Sequence, residues 1–107
     1  MYLTAEEAKM VDDIIRFYIP EYEVRAFGSR VTGKNLKKFS DLDIVIMTDT
    51  PLPTRKWAQV KDAFMLSYLE FRVDVLDWSY VSPEFRAIIE GNYEVLYKPA
   101  GNAVSAG

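Results

Sequence analysis

Asp41-Leu42-Asp43-Ile44-Val45-Ile46-Met47 reads as a buried strand that begins with two carboxylates. The near-continuous apolar run over residues 44–47 suits a strand covered on both faces, which puts its polar start at the sheet's edge beside a cleft. Side chains alternate along a strand with period two, so Asp41 and Asp43 share a face, where the two anions repel. Without a cation, one pKa should rise or the strand should lose stability, and a divalent metal between them removes the conflict. The plainer reading makes Asp41 a turn cap and Asp43 a solvated side chain. The buried run that follows counts against it.

Upstream of this strand, Tyr22-Glu-Val-Arg-Ala-Phe27 is short and β-rich and reads as another strand, followed at once by Gly28-Ser29. Residues 30–39 are polar and read as a loop with room for one helical turn. Thr4 stands three residues before Glu7, a capping-box spacing, and Met10, Val11, Ile14, Ile15 and Tyr18 recur at helical intervals, predicting a helix that ends near Pro20. Downstream, Pro51 and Pro53 break the chain, and Trp57, Val60, Lys61, Phe64, Met65 and Tyr68 fall on one side of a second helix. Residues 71–76 return as a strand. Ser82 before Pro83 starts a third helix with Phe85, Ile88 and Ile89 inward, Gly91-Asn92 ends it, and residues 93–97 offer an edge strand. Strands alternating with helices predict an α/β (α+β) domain over residues 1–99, with a mixed β-sheet of three to four strands flanked by helices. Residues 100–107 read as a flexible tail.

The chain has 107 residues, half of them hydrophobic, enough for one core and one site. It contains no Cys and no His, which excludes disulfides, thiolate zinc sites, a cysteine nucleophile and the commonest acid–base group. Chemistry must then rest on carboxylates, hydroxyls, Lys, Arg or a bound ion. A formal net charge of −3 gives little grip on a phosphate backbone, so long nucleic acid is a poor partner. No apolar run approaches the roughly 20 residues that span a bilayer, and no signal pattern opens the chain, so no membrane is expected and the default location is cytoplasmic.

A third carboxylate, Asp74, lies between Val73 and Val75 in mid-strand, where an acid is expensive unless something needs it. Asp77 is its rival, but the odd spacing aims it at the opposite face, at a strand exit. Asp12, Asp13 and Asp62 lie on helices and are read as solvated. Gly28-Ser29 stands where a strand turns into a loop, a place where glycine lets backbone N–H groups approach phosphate oxygens. An isolated Gly-Ser would more commonly be a plain turn.

Gly28-Ser29, the eleven residues 30–40, Asp41-Leu-Asp43 and then Asp74 on a later strand together resemble the polymerase-beta-like nucleotidyltransferase superfamily, and most of all its minimal nucleotidyltransferase (MNT) members. Their usual gap is ten residues; here it is one longer. The resemblance implies that Asp41, Asp43 and Asp74 are catalytic and bind metal, two Mg²⁺ ions, and that Gly28 and Ser29 hold the terminal phosphates of ATP. Arg30 is a further candidate for the triphosphate, and Lys34, Lys37 or Lys38 for the departing pyrophosphate. MNT proteins commonly accompany a HEPN protein, and the likeness makes this chain an antitoxin that transfers AMP to a tyrosine of a HEPN ribonuclease toxin, alone or as a homo- or hetero-oligomer. Two other readings stand beside it: a binding module that neutralises its partner by contact, and a homodimeric nucleotidyltransferase of the antibiotic-modifying kind.

Overall fold

In the computed structural model, which describes residues 1–100, helix α1 (Ala5–Tyr18) opens on the capping box that its sequence predicts. The Glu7 N–H donates to Thr4 Oγ1 at 3.1 Å and the Thr4 N–H to Glu7 Oε1 at 2.9 Å. A cap of this kind contributes about 1 kcal/mol to helix stability. Val11 and Ile15 line the buried stripe, and the helix ends before Pro20, which cannot continue it.

Four strands follow in the order β3-β2-β1-β4: β1 (Val24–Phe27), β2 (Leu42–Ile46), β3 (Val73–Asp77) and β4 (Glu94–Tyr97). β1 runs antiparallel to both β2 and β4, whereas β2 and β3 are parallel, so the sheet is mixed as expected. A parallel pair needs a crossover, and α3 (Thr54–Met65) supplies it. On one face, Leu42, Ile44, Ile46 and Val75 pack against Val11 and Ile15 of α1 and Val60 and Phe64 of α3. On the other, Phe27 and Val45 meet Ile89 of α4 (Pro83–Gly91), with Leu76, Trp78 and Tyr93 around them. The single helical turn allowed in the polar connection is α2 (Ser29–Thr32).

Two helix faces are narrower than their sequences suggest. α3 ends at Met65, which is exposed, and Tyr68 lies beyond the helix and is 93% exposed. On α4 only Ile89 is buried, while Ile88 is 67% and Phe85 37% exposed. Ile88 sits about 100° around the helix from Ile89, off the stripe that meets Phe27 and Val45. No described helix is long and apolar enough to cross a membrane. The tail expected at 100–107 lies, after Ala100, outside the described residues.

Candidate active site

Strand register assembles the centre of the site. Asp43 on β2 stands directly opposite Asp74 on β3 and Phe27 on β1. Partners across a ladder project to the same side, so both carboxylates leave the sheet on the α4 face, beyond the part that α4 covers. Asp74 is exposed, because β3 is an edge strand. The desolvation penalty expected for an acid between two valines is therefore small at this position. Asp41 lies one residue ahead of β2. The Leu42 N–H donates to the Arg72 carbonyl at 2.9 Å, and Arg72 Nη2 donates to Asp41 Oδ2 at 3.0 Å. Nothing in the composition singled out Arg72, yet it stands two residues before Asp74, and period two alone puts it on the carboxylate face.

Gly28 links the turn to the carboxylates. Its φ is 82°, a backbone conformation that glycine adopts without strain, and a Cβ on it would overlap the Asp43 carboxylate. The Val31 and Thr32 N–H groups donate to the Gly28 carbonyl and the Gly33 N–H to that of Ser29. Ser29 and Arg30 therefore carry the N–H groups that precede the first hydrogen bond of the turn.

The electrostatics are those of crowded anions. Burial first, then the charges of Asp74 and Asp41, push the Asp43 carboxyl up to about 6, against the opposing pull of Arg72. The rise expected of one member of the pair falls on the half-buried one. Asp41 is drawn instead to Arg72, and among the described residues no three acidic side chains converge closely enough to enclose a cation as they stand. The oxygen donors are nonetheless of the kind that Mg²⁺ takes, and an excess of negative charge at a half-buried carboxyl suits a cation. The ion pair that holds Asp41 is itself exposed, and a pair of that kind is worth little.

Arg30 does not face this cluster with free donors. It is 5% exposed, and its guanidinium donates to the carbonyls of Ser40 at 2.8 Å, Tyr2 at 2.9 Å and Lys38 at 3.2 Å. Lys34, Lys37 and Lys38 are exposed on the connection that follows. Asp77 points to the opposite face from Asp74, as its spacing requires, and is buried. Burial alone would raise its carboxyl, but the Ser79 and Thr48 hydroxyls and the Leu52 and Ser79 N–H groups hold it below the usual range. Asp12 and Asp13 pair with Arg16 and Lys9 on α1, and Asp62 is exposed. A cleft of about 860 Å³ is bounded by Tyr2, Glu7, Arg30, Lys38 and Leu69, and none of Asp41, Asp43 and Asp74 lines it.

Known proteins resemble this chain in sequence and fold. Residues 8–96 match the family model described as nucleotidyltransferase domain. The chain is 45% identical over 94 residues to the "Probable protein adenylyltransferase MntA" of Haemophilus influenzae, which covers 88% of this chain and 82% of that protein. Among solved structures, a toxin–antitoxin complex with AMP-PNP superposes with a TM-score of 0.69 at 20% identity, over 89% of this chain and 76% of that one. A mutant of the toxin–antitoxin MntA-HpeT gives the same TM-score at 18% identity, over the same shares of the two chains. At such identities the structural likeness speaks for the fold, and the fold agrees.

Proposed function

The chain belongs to the nucleotidyltransferase domain family, and we propose that it transfers AMP from ATP to a tyrosine hydroxyl of a partner HEPN ribonuclease toxin, for which it is the antitoxin. The observation that carries this reading is the contact between the bare Cα of Gly28 and the Asp43 carboxylate, with Asp74 opposite. It sets a turn suited to phosphate oxygens directly against a carboxylate cluster suited to a divalent ion. The 45% identity to a protein named as an adenylyltransferase supports the choice of AMP, and the AMP-PNP complex of a structural neighbour supports ATP as the donor.

In this reading the acceptor oxygen attacks the α-phosphorus, the bond to the bridging oxygen of the β-phosphate breaks, and pyrophosphate leaves. Asp41, Asp43 and Asp74 would hold two Mg²⁺ ions, which would supply charge stabilisation at the attacking and leaving oxygens. Gly28 and Ser29 hold the terminal phosphates with backbone N–H groups and the serine hydroxyl. Asp74, exposed at the sheet edge, takes the proton of the incoming hydroxyl. Residues 1–99 form the one catalytic domain, and the reaction takes place in the cytoplasm.

The test is a transfer reaction with Mg²⁺, the partner protein and ATP labelled at either the α- or the γ-phosphate, with Asp41→Asn/Asp43→Asn as control. Label reaching the partner from the α position alone, and lost in the double variant, is the expected result. Label from the γ position would make the chain a kinase, and label from neither would remove the transferase reading.

A further inference from the structure

Arg30 holds a buried positive charge that forms no ion pair among the described residues and donates to carbonyls instead, an arrangement that needs another explanation. Each nitrogen of the guanidinium donates to a carbonyl, and its central carbon Cζ lies over the Phe71 ring, 3.9 Å from the centroid. Where those partners sit decides the matter. Ser40 is the residue before Asp41, and Lys38 belongs to the same approach. Phe71 is the residue before Arg72, whose carbonyl accepts the Leu42 N–H and whose side chain holds Asp41. Arg30 itself belongs to α2, immediately after Ser29, and its own carbonyl accepts the Tyr2 N–H at 2.7 Å. A single side chain thus ties the Gly-Ser turn to both segments that deliver Asp41.

We propose that Arg30 is a positioning residue that fixes the Gly28-Ser29 turn against Asp41, and that its side chain is not a ligand of the triphosphate. The eleven-residue connection between Ser29 and Asp41 is polar and largely exposed, with Lys34, Asn35, Lys37, Lys38 and Phe39 in solvent. Little apolar burial holds such a loop, so hydrogen bonds must set its path. A planar fork that donates at three corners while stacking on an aromatic face is a task for arginine. Lysine keeps the charge but has neither the plane nor the fork. The inference deepens the proposed transfer reaction and rests on it only for its kinetic arm.

The experiment compares Arg30→Lys, Arg30→Met and Phe71→Leu by rate of AMP transfer against ATP concentration, and by hydrogen–deuterium exchange over residues 30–42 of the ATP-free protein. Expected for Arg30→Lys and Arg30→Met alike is a loss of kcat on the order of 10²-fold, the scale of a misplaced catalytic group. ATP KM stays close to that of the wild type, and exchange across the connection rises. Phe71→Leu, which leaves every phosphate contact in place, produces a weaker version of the same pattern. An Arg30→Lys protein with near-normal turnover beside a crippled Arg30→Met would identify a charge contact and overturn the proposal. So would unchanged exchange in all three. Should the wild type transfer no AMP, the transferase reading fails while the exchange arm still decides the clamp.

Discussion

The Asp43 carboxyl sits against the bare Cα of Gly28, faces Asp74 across the ladder and follows Asp41 by two residues. Its rise to about 6, caused by burial first and the two neighbouring charges next, has a definite sign in stability. A carboxyl whose pKa is raised by folding binds protons that the unfolded chain releases, so it stabilises the metal-free protein below its ordinary value. That contribution is lost as pH rises from 3.8 through about 6. Mg²⁺ reverses the balance, because a cation binds only the deprotonated form. The expected outcome is that Mg²⁺ raises the Tm more at about pH 7.5 than at about pH 5, and that Asp43→Asn removes most of this difference. Thermal unfolding at matched ionic strength measures it, and equal shifts at the two pH values in the wild type would sink the assignment of Asp43 as a metal ligand.

Strand β3 carries two aspartates with opposite fates, and that difference belongs to the element rather than to either residue. Asp74 leaves the face that carries Asp43, whereas Asp77, three positions on, turns inward and gathers the Thr48 hydroxyl, the Leu52 N–H at 2.8 Å and the Ser79 N–H at 2.9 Å. These donors hold the exits of β2 and β3 together. Asp77→Asn sets an amide against groups that can only donate or prefer to, and should lower stability by about 1.5–3 kcal/mol at neutral pH, read as a lower urea midpoint with unchanged slope. Because the Asp77 carboxyl titrates below its ordinary value, the deficit should shrink as pH falls below the carboxylate range. AMP transfer by the folded variant should persist, whereas Asp74→Asn should lose transfer with little loss of stability; the reverse pattern would exchange their roles. Period two made this division readable from the sequence, as the capping box did for α1 and Ser82-Pro83 for α4. What stayed hidden depended on partners far along the chain. Period two puts Arg72 on the carboxylate face but does not name Asp41 as its partner, and the hold of Arg30 on Tyr2, Lys38 and Ser40 has no periodicity to announce it. The thin buried stripe of α4 was illegible for a related reason, since an apolar triplet does not say how much of a sheet face its helix covers.

Among the described residues one sheet carries helices on both faces, and no separate lobe stands over Asp43 and Asp74. Exposed apolar side chains are spread over several elements, among them Phe17 on α1, Met65 on α3, Tyr80 after β3 and Ile88 on α4. A partner held by contact alone would need these surfaces occupied continuously, one antitoxin for each toxin, and would recover when the two were separated. A partner modified at a tyrosine needs only a transient encounter. On the proposed reading, the expected outcome is therefore that, with Mg²⁺ and ATP, a small molar fraction of this chain silences the proposed ribonuclease partner over time. The partner should stay silent after the chain is removed. Asp41→Asn/Asp43→Asn should silence it only near equimolar amounts, if at all, and reversibly. Titration of ribonuclease activity against antitoxin, before and after separation, distinguishes the two. Equimolar, ATP-independent and reversible inhibition by the wild type would make contact the mechanism and leave the carboxylates without a part in neutralisation.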